Sequence, residues 1–87
     1  FNFIMKSAKA FKSTLGVIGE KLAELRLKKG YDTIKDFAYQ YELPEIQYWR
    51  MEKGKANITL KSLFKVLAIH KISLHEFFCL ITEEELA

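Results

Sequence analysis

The fold is decided by residues 43–54, LPEIQYWRMEKG, where a short helical pattern lies between a proline and a glycine. Pro44 suits the cap or the first residue of a helix, because the N–H that it lacks would find no intrahelical partner there. Gly54 suits the position just after a helix, where the chain often needs a positive φ. Tyr48 and Met51 are three positions apart and are expected to face the core. The stretch therefore predicts a short helix with one buried face.

Apolar residues recur at helical spacing on both sides of this stretch, and they predict four more helices. We expect Asp32 to cap the second helix and Thr59 to cap the fourth. A capping box formed by Ser73 and Glu76 opens the fifth. No segment alternates with period two, so no strand is predicted. The predicted helices cover residues 15–29, 33–42, 44–54, 60–70 and a segment from residue 74. Their predicted core side chains are Ile18, Leu22, Leu25, Ile34, Phe37, Ala38, Tyr41, Tyr48, Met51, Leu60, Leu63, Phe64, Leu67, Leu74, Phe77 and Phe78.

Length and composition indicate one globular domain. A chain of 87 residues can bury a single core, and its 49% hydrophobic and 29% charged residues are typical of a folded soluble protein. The net charge is +3, and three acidic residues near the end, Glu83, Glu84 and Glu85, leave the residues before them with +6. A basic body of this kind fits a polyanionic partner.

The single cysteine, Cys79, indicates a chain without an internal disulfide, which suits a reducing cytosol. It lies in the apolar run 77–81, which predicts an inert, buried thiol. No apolar run reaches about 18 residues, so no membrane span is predicted. Met5 is a possible natural start, with the residues before it added upstream.

A series of anchors between residues 18 and 78 resembles a known family. They include IGEKL at 18–22, the Leu25-Arg26 pair before Lys29-Gly30, Phe37-Ala38, Leu43-Pro44 and RMEKG at 50–54. This pattern is similar to the lambda-repressor-like, or XRE-type, helix-turn-helix family, over about 60 of the 87 residues. The segment 30–38 is one residue longer than the common pattern and resembles a bacterial subgroup with an extended turn before helix 2.

The resemblance implies an all-α, five-helix lambda-repressor-like domain with the helix-turn-helix at helices 2 and 3. It divides the chain into an N-terminal arm (1–14), the helix-turn-helix domain (15–79) and a C-terminal tail (80–87). It further implies sequence-specific binding of double-stranded DNA by a small bacterial transcriptional regulator, with helix 3 in the major groove. The DNA would be bound by a homodimer, with residues 77–81 as the candidate interface between the two chains. The protein would act in the cytoplasm, at the nucleoid.

The resemblance also assigns roles to individual side chains. Base contacts come from the start of helix 3 and from one turn later, where Arg suits guanine, Gln adenine, Glu cytosine and Ile a thymine methyl. These base contacts map to Glu45, Ile46, Gln47 and Arg50. Backbone contacts map to Thr33, Trp49, Lys53, Lys55 and Asn57. The family's structural ion pair maps to Arg26 and Glu52.

Several side chains have two interpretations on the sequence alone. Trp49 either contacts DNA or packs locally, and Glu45 either accepts from cytosine or favours the positive end of helix 3. Three lysines spaced by three, Lys6, Lys9 and Lys12, form either a DNA-gripping arm or a solvated helix face. His70, at a helix end, is expected to be favourable as a cation.

The residues also bear on other functions. No nucleophile–histidine–acid set and no phosphate-binding loop is present, so an enzyme is not predicted. His75 and Cys79 could share a metal, but zinc needs three or four ligands, so no metal or other cofactor is predicted. No small-molecule ligand is indicated. The alternative function is a protein-interaction module, such as an antitoxin-like partner-binding protein, because Glu45 and Glu52 offset Arg50 and Lys53 on helix 3.

Overall fold

This computed structural model describes residues 2–81 of the chain, and they contain five α-helices. Residues 2–81 contain no strand, so the all-α prediction with five helices is confirmed. No helix within this range is long and apolar enough to cross a membrane. The acidic residues predicted as a solvated tail, Glu83, Glu84 and Glu85, lie outside it. The helices are α1 (Asn2–Lys28), α2 (Ile34–Gln40), α3 (Glu45–Glu52), α4 (Leu60–Ile69) and α5 (Leu74–Cys79).

The first helix is much longer than its apolar stripe predicted. It begins at Asn2 rather than near residue 15, so the segment predicted as an N-terminal arm is helical from Asn2 onward. Residues 2–15 contain no proline or glycine, and their lysines and alanines are good helix formers. Every side chain from Ile4 to Ser13 is exposed. Lys6, Lys9 and Lys12 therefore lie on an exposed helix.

Glycine ends α1 and α3 in the same way. Gly30 and Gly54 have φ of 102° and 66°, a region that favours residues without a Cβ. After α3, the Lys55 N–H donates to the Arg50 carbonyl at 2.9 Å, and the Gly54 N–H donates to the Met51 carbonyl at 3.3 Å. These two bonds form a Schellman motif, which satisfies carbonyls that have no partner within the helix.

Hydroxyl side chains cap the other helices. The Thr59 and Ser73 caps and the Ser73–Glu76 capping box are confirmed. The Asp32 cap was wrong, because α2 begins one residue later, at Ile34. Thr33 is extended and its Oγ1 accepts from the Asp36 N–H at 3.1 Å.

The core is built from one face of each helix. On α4 the buried side chains are Leu63, Val66 and Leu67, whereas Leu60 and Phe64, predicted to be buried, are 63% and 52% exposed. Two overlapping apolar stripes at helical spacing fit the sequence of α4. Packing against the other helices buries the stripe that includes Val66. Similarly, Phe77 is buried and Phe78 is 36% exposed. The core cluster is Ile18, Leu22, Phe37, Tyr48, Met51, Leu63, Val66, Leu67, Phe77 and Ile81.

Helices α1 and α3 approach each other at glycine. A Cβ added at Gly19 would lie 2.3 Å from the Glu52 carbonyl oxygen, and one added at Gly54 would lie 2.9 Å from the Gly16 Cα. Both are closer than side chains can come without moving backbone. The C-terminal end of α3 and the turn after it are therefore held directly against α1.

His70 differs from the prediction of a favourable cation. Its ring stacks on Phe37, with centroids 5.5 Å apart, and its Nε2 is buried without a hydrogen-bond partner among residues 2–81. Burial, and then the positive charge of Lys29, lower the pKa of His70 below its ordinary value. The neutral ring is therefore the form that the fold favours.

We expect this histidine to contribute to acid sensitivity. Because its folded-state pKa is lowered, its contribution to stability is present above the ordinary histidine pKa of about 6.5 and is lost as the pH falls further. Urea unfolding at about pH 7.5 and about pH 5.5, on the two sides of that value, should show a smaller acid loss for His70→Phe than for the parent. Replacing the exposed His75 by Gln should leave the acid loss unchanged. An equal loss in the parent and in His70→Phe would contradict the assignment.

Candidate nucleic-acid interface

The outward face of α3 carries the four side chains predicted to contact bases. Glu45, Ile46, Gln47 and Arg50 are all exposed, and Ile46 is 77% exposed. The opposite face of the helix buries Tyr48, Met51 and Glu52. An isoleucine this exposed is available to a partner. Together the four side chains offer a partner charged, hydrogen-bonding and apolar groups.

A buried ion pair fixes the inner face of α3 to α1. Arg26 Nε donates to Glu52 Oε2 at 2.8 Å, and its Nη2 donates to Oε1 at 3.2 Å. The third nitrogen, Nη1, donates to the Tyr31 carbonyl oxygen at 2.7 Å. One guanidinium therefore joins α1, the segment leading to α2 and the end of α3, and the two parallel bonds fix its orientation.

The surroundings of this pair affect its titration and that of its neighbour. The hydrogen bonds that Arg26 donates to the Glu52 carboxylate raise the pKa of Arg26, against the opposing effect of burial. Burial, followed by the nearby Glu52 carboxylate, raises the pKa of the Tyr48 hydroxyl. Arg26 is therefore cationic and Tyr48 neutral throughout the physiological range.

The turn between α3 and α4, residues 53–59, gathers several predicted backbone contacts. Lys53, Lys55 and Asn57 are exposed there. Lys55 Nζ lies 5.6 Å from the centre of the Trp49 ring, a cation–π contact, and Trp49 is 40% exposed. Arg50 Nη2 donates to the Lys55 carbonyl at 3.4 Å. Trp49 thus packs locally against the turn while keeping part of its ring open.

Thr33 lies at the beginning of α2, exposed. Its Oγ1 uses a lone pair to accept from Asp36 N–H, so its hydroxyl proton stays available to donate. A helix N-terminus with such a hydroxyl attracts phosphate oxygens.

Two lysines beside α3 were missed by the sequence analysis. Lys61 and Lys65 of α4 line a hollow together with Gln47, Leu43 and Pro44, next to the start of α3. Their i, i+4 spacing on one face of the predicted fourth helix was the available signal. Their position beside α3 could not be read from it, because the relative placement of α3 and α4 is set by the tertiary structure.

These lysines change the charge assigned to the helix. Glu52 is buried and paired with Arg26, so it does not offset Arg50 or Lys53 at the surface. Glu45 is then the exposed carboxylate of α3, whereas the exposed cations on α3, the turn and α4 are Arg50, Lys53, Lys55, Lys61 and Lys65. The near-neutral helix that motivated the protein-interaction alternative is therefore not what the fold presents.

The C-terminal helix departs from two predictions. Cys79 is exposed rather than buried, because the six-residue α5 turns Phe77 inward and leaves the thiol beside His75, with Sγ 3.5 Å from Nε2. No group of three or more potential metal ligands is assembled among residues 2–81. Within the candidate interface 77–81, Phe77 and Ile81 belong to the chain's own core, which leaves Phe78 and Leu80 at the surface.

Comparison with known proteins gives one informative relative. No family model matches the chain, and no solved structure matches it either. The control protein C.MunI of a Mycoplasma species is 38% identical over 66 residues, which cover 76% of this chain and 89% of that protein. A likeness of this degree over most of both chains shows common descent. The chain therefore belongs to the control-protein family that includes C.MunI.

Proposed function

We propose that this protein is a transcriptional regulator that binds specific double-stranded DNA sites with α3 in the major groove. The observation that carries the proposal is the construction of α3. Its exposed face holds Glu45, Ile46, Gln47 and Arg50, while its other face is tied to the core and, through Glu52, to α1. A short helix held rigidly from behind and open in front fits a groove about 12 Å wide.

The side chains of this face offer distinct chemistry to base edges. Arg50 would donate twice to a guanine, Gln47 would pair with an adenine, and Ile46 would contact a thymine methyl. To reach a base, Arg50 has to break its hydrogen bond to the Lys55 carbonyl oxygen. At 3.4 Å this bond is long and therefore weak. Such contacts provide specificity, because each base pair displays its own pattern in the major groove.

Cations on two sides of α3 would bind the phosphates. Lys53 and Lys55 lie after its C-terminal end, and Lys61 and Lys65 lie beside its N-terminal end. Thr33 and Asn57 add hydrogen-bond donors, and Trp49 offers the exposed part of its ring to the DNA backbone. These contacts would set the register of the protein on the duplex without reading its sequence.

Trp49, the single tryptophan, makes binding observable without a label. We expect its fluorescence to change and saturate when mixed-sequence duplex DNA is added at low salt, and the affinity to fall steeply as salt rises. A flat titration, with equally flat anisotropy of labelled DNA, would refute DNA binding and favour a protein partner.

Sedimentation of the same mixtures gives the stoichiometry, and the proposed homodimer requires two chains per duplex site. One chain per site at all concentrations would refute the dimer.

Specific recognition is tested at Arg50. On a site selected from random duplexes, Arg50→Ala should weaken binding by about 1–3 kcal/mol and relax the preference at one base pair. Arg50→Lys keeps the charge but loses the paired donors, so it should lose the base preference while retaining most binding to mixed-sequence DNA. If Arg50→Ala weakens binding to every sequence equally, Arg50 contacts phosphate and not a base.

A regulator acting in this way belongs where bacterial DNA lies, so the proposal includes a cytoplasmic location at the nucleoid. It assigns no enzymatic activity and needs no cofactor.

A further inference from the structure

The face of α1 that carries Lys9 and Lys12 also contacts the turn after α3. Side chains repeat on one face of a helix every three or four residues. Lys12 precedes Gly16 by four positions and Lys9 precedes it by seven, so all three lie on the same face. That face receives the turn, since a Cβ at Gly54 would lie 2.9 Å from the Gly16 Cα. Lys9 and Lys12 therefore lie on the face of α1 that the turn contacts, farther toward the N-terminus of the helix.

The charge along this line has one sign. The turn carries the exposed Lys53 and Lys55. Residues 4–14, which we call the α1 extension, contain Lys6, Lys9 and Lys12 and no acidic residue, and their lysines are all exposed. A row of lysines that begins beside α3 and runs out along a helix is complementary to a strand of phosphates.

We propose that the α1 extension is a second DNA-binding element, whose Lys9 and Lys12 contact backbone phosphates beyond those reached by the turn. The inference rests on the proposed function of α3. From Gly16 to Lys9 the helix rises about 10 Å at 1.5 Å per residue, a length over which one DNA strand presents about three phosphates at 3.4 Å each. The contacts are to phosphate, so they add affinity without adding sequence preference.

Two exposed apolar side chains of the extension lie on another face of α1. Ile4 and Phe11, 70% and 52% exposed, continue the stripe of Leu15 and Ile18 that enters the core. Substitution of the lysines therefore leaves this apolar stripe intact.

The test measures the salt dependence of binding to a mixed-sequence duplex for Lys9→Gln/Lys12→Gln. Neutralising two phosphate contacts should reduce the slope of log K against log salt by about 1.8, at about 0.9 for each contact. Glutamine preserves the helix, which circular dichroism verifies. The matched control is Lys21→Gln/Lys28→Gln, which removes the same charge from the side of α1 that lies beside Leu80. The control should keep a slope close to that of the parent.

The outcomes separate this inference from the proposed function. A parent that binds with a steep slope, together with an unchanged slope in Lys9→Gln/Lys12→Gln, overturns the inference and leaves the function of α3 standing. Equal losses in the test and control variants also overturn it, because net charge alone would then explain them. A parent that does not bind duplex DNA overturns the proposed function and the inference with it. The charge reversal Lys9→Glu/Lys12→Glu should lose more affinity than the glutamine variant at every salt concentration.

Discussion

Replacing Glu52 by glutamine is expected to lower the free energy of unfolding by about 3–5 kcal/mol, because it leaves the buried guanidinium of Arg26 without its counter-charge. The side chains of Arg26 and Glu52 are only 9% and 2% exposed, so water cannot replace the lost carboxylate. Urea unfolding followed by circular dichroism measures the effect.

Two further variants separate the charge from the packing. Arg26→Met/Glu52→Leu removes both charges and should recover most of the stability lost in Glu52→Gln, since apolar replacement of a whole buried pair is often neutral or stabilising. Glu24→Gln breaks the exposed i, i+3 pair with Lys21 and should cost less than about 1 kcal/mol. If Glu52→Gln cost no more than Glu24→Gln, the buried pair would contribute nothing beyond a surface pair.

The second large effect is expected at the crossing of α1 and α3. Gly19→Ala would place a Cβ 2.3 Å from the Glu52 carbonyl oxygen and 2.7 Å from that of Met51. These are backbone atoms of a packed helix and cannot move independently. We expect a loss of about 1–3 kcal/mol from overpacking, even though alanine is intrinsically the better helix former. Thermal and urea unfolding measure the loss.

The matched control lies on the same helix, three residues earlier. A Cβ at Gly16 meets nothing within 4 Å, so Gly16→Ala should raise stability by roughly 0.5–1 kcal/mol through helix propensity alone. Because Gly19→Ala pushes α3 away from α1, it should also weaken DNA binding, whereas Gly16→Ala should not. Equal effects of the two substitutions on stability would contradict the close approach at Gly19.

Local chemistry allowed many features to be predicted. The Thr59 cap, the Ser73–Glu76 box and the glycine stops depend on residues within a few positions of one another, so the sequence contains all their partners. The position of α3 followed in the same way from Pro44 and Gly54. The side chains predicted for base contacts are exposed because Tyr48 and Met51 occupy the inner face of the same short helix.

Three predictions, on α4, α1 and Cys79, failed because the local spacing of apolar residues does not decide these features. Two stripes on α4 satisfy the same periodicity, and only packing against the other helices buries Val66 and exposes Phe64. The length of α1 was missed because the side chains of residues 4–13 are all exposed, so no core pattern marks them. Cys79 was predicted to be buried because its neighbours are apolar, but a six-residue helix can turn only part of that run inward.

The sequence by itself determined the number of helices, the caps of α4 and α5 and the exposed surface of α3, because each is set by spacing and by hydrogen bonds between near neighbours. Only the tertiary structure decided which charges act at that surface. It buried Glu52 against Arg26, brought Lys61 and Lys65 beside Gln47, and placed Gly16 of α1 against the turn at Gly54. The physical reason is that the charge of a face is the sum over side chains from several helices, and their arrangement is fixed by the packing of the whole core.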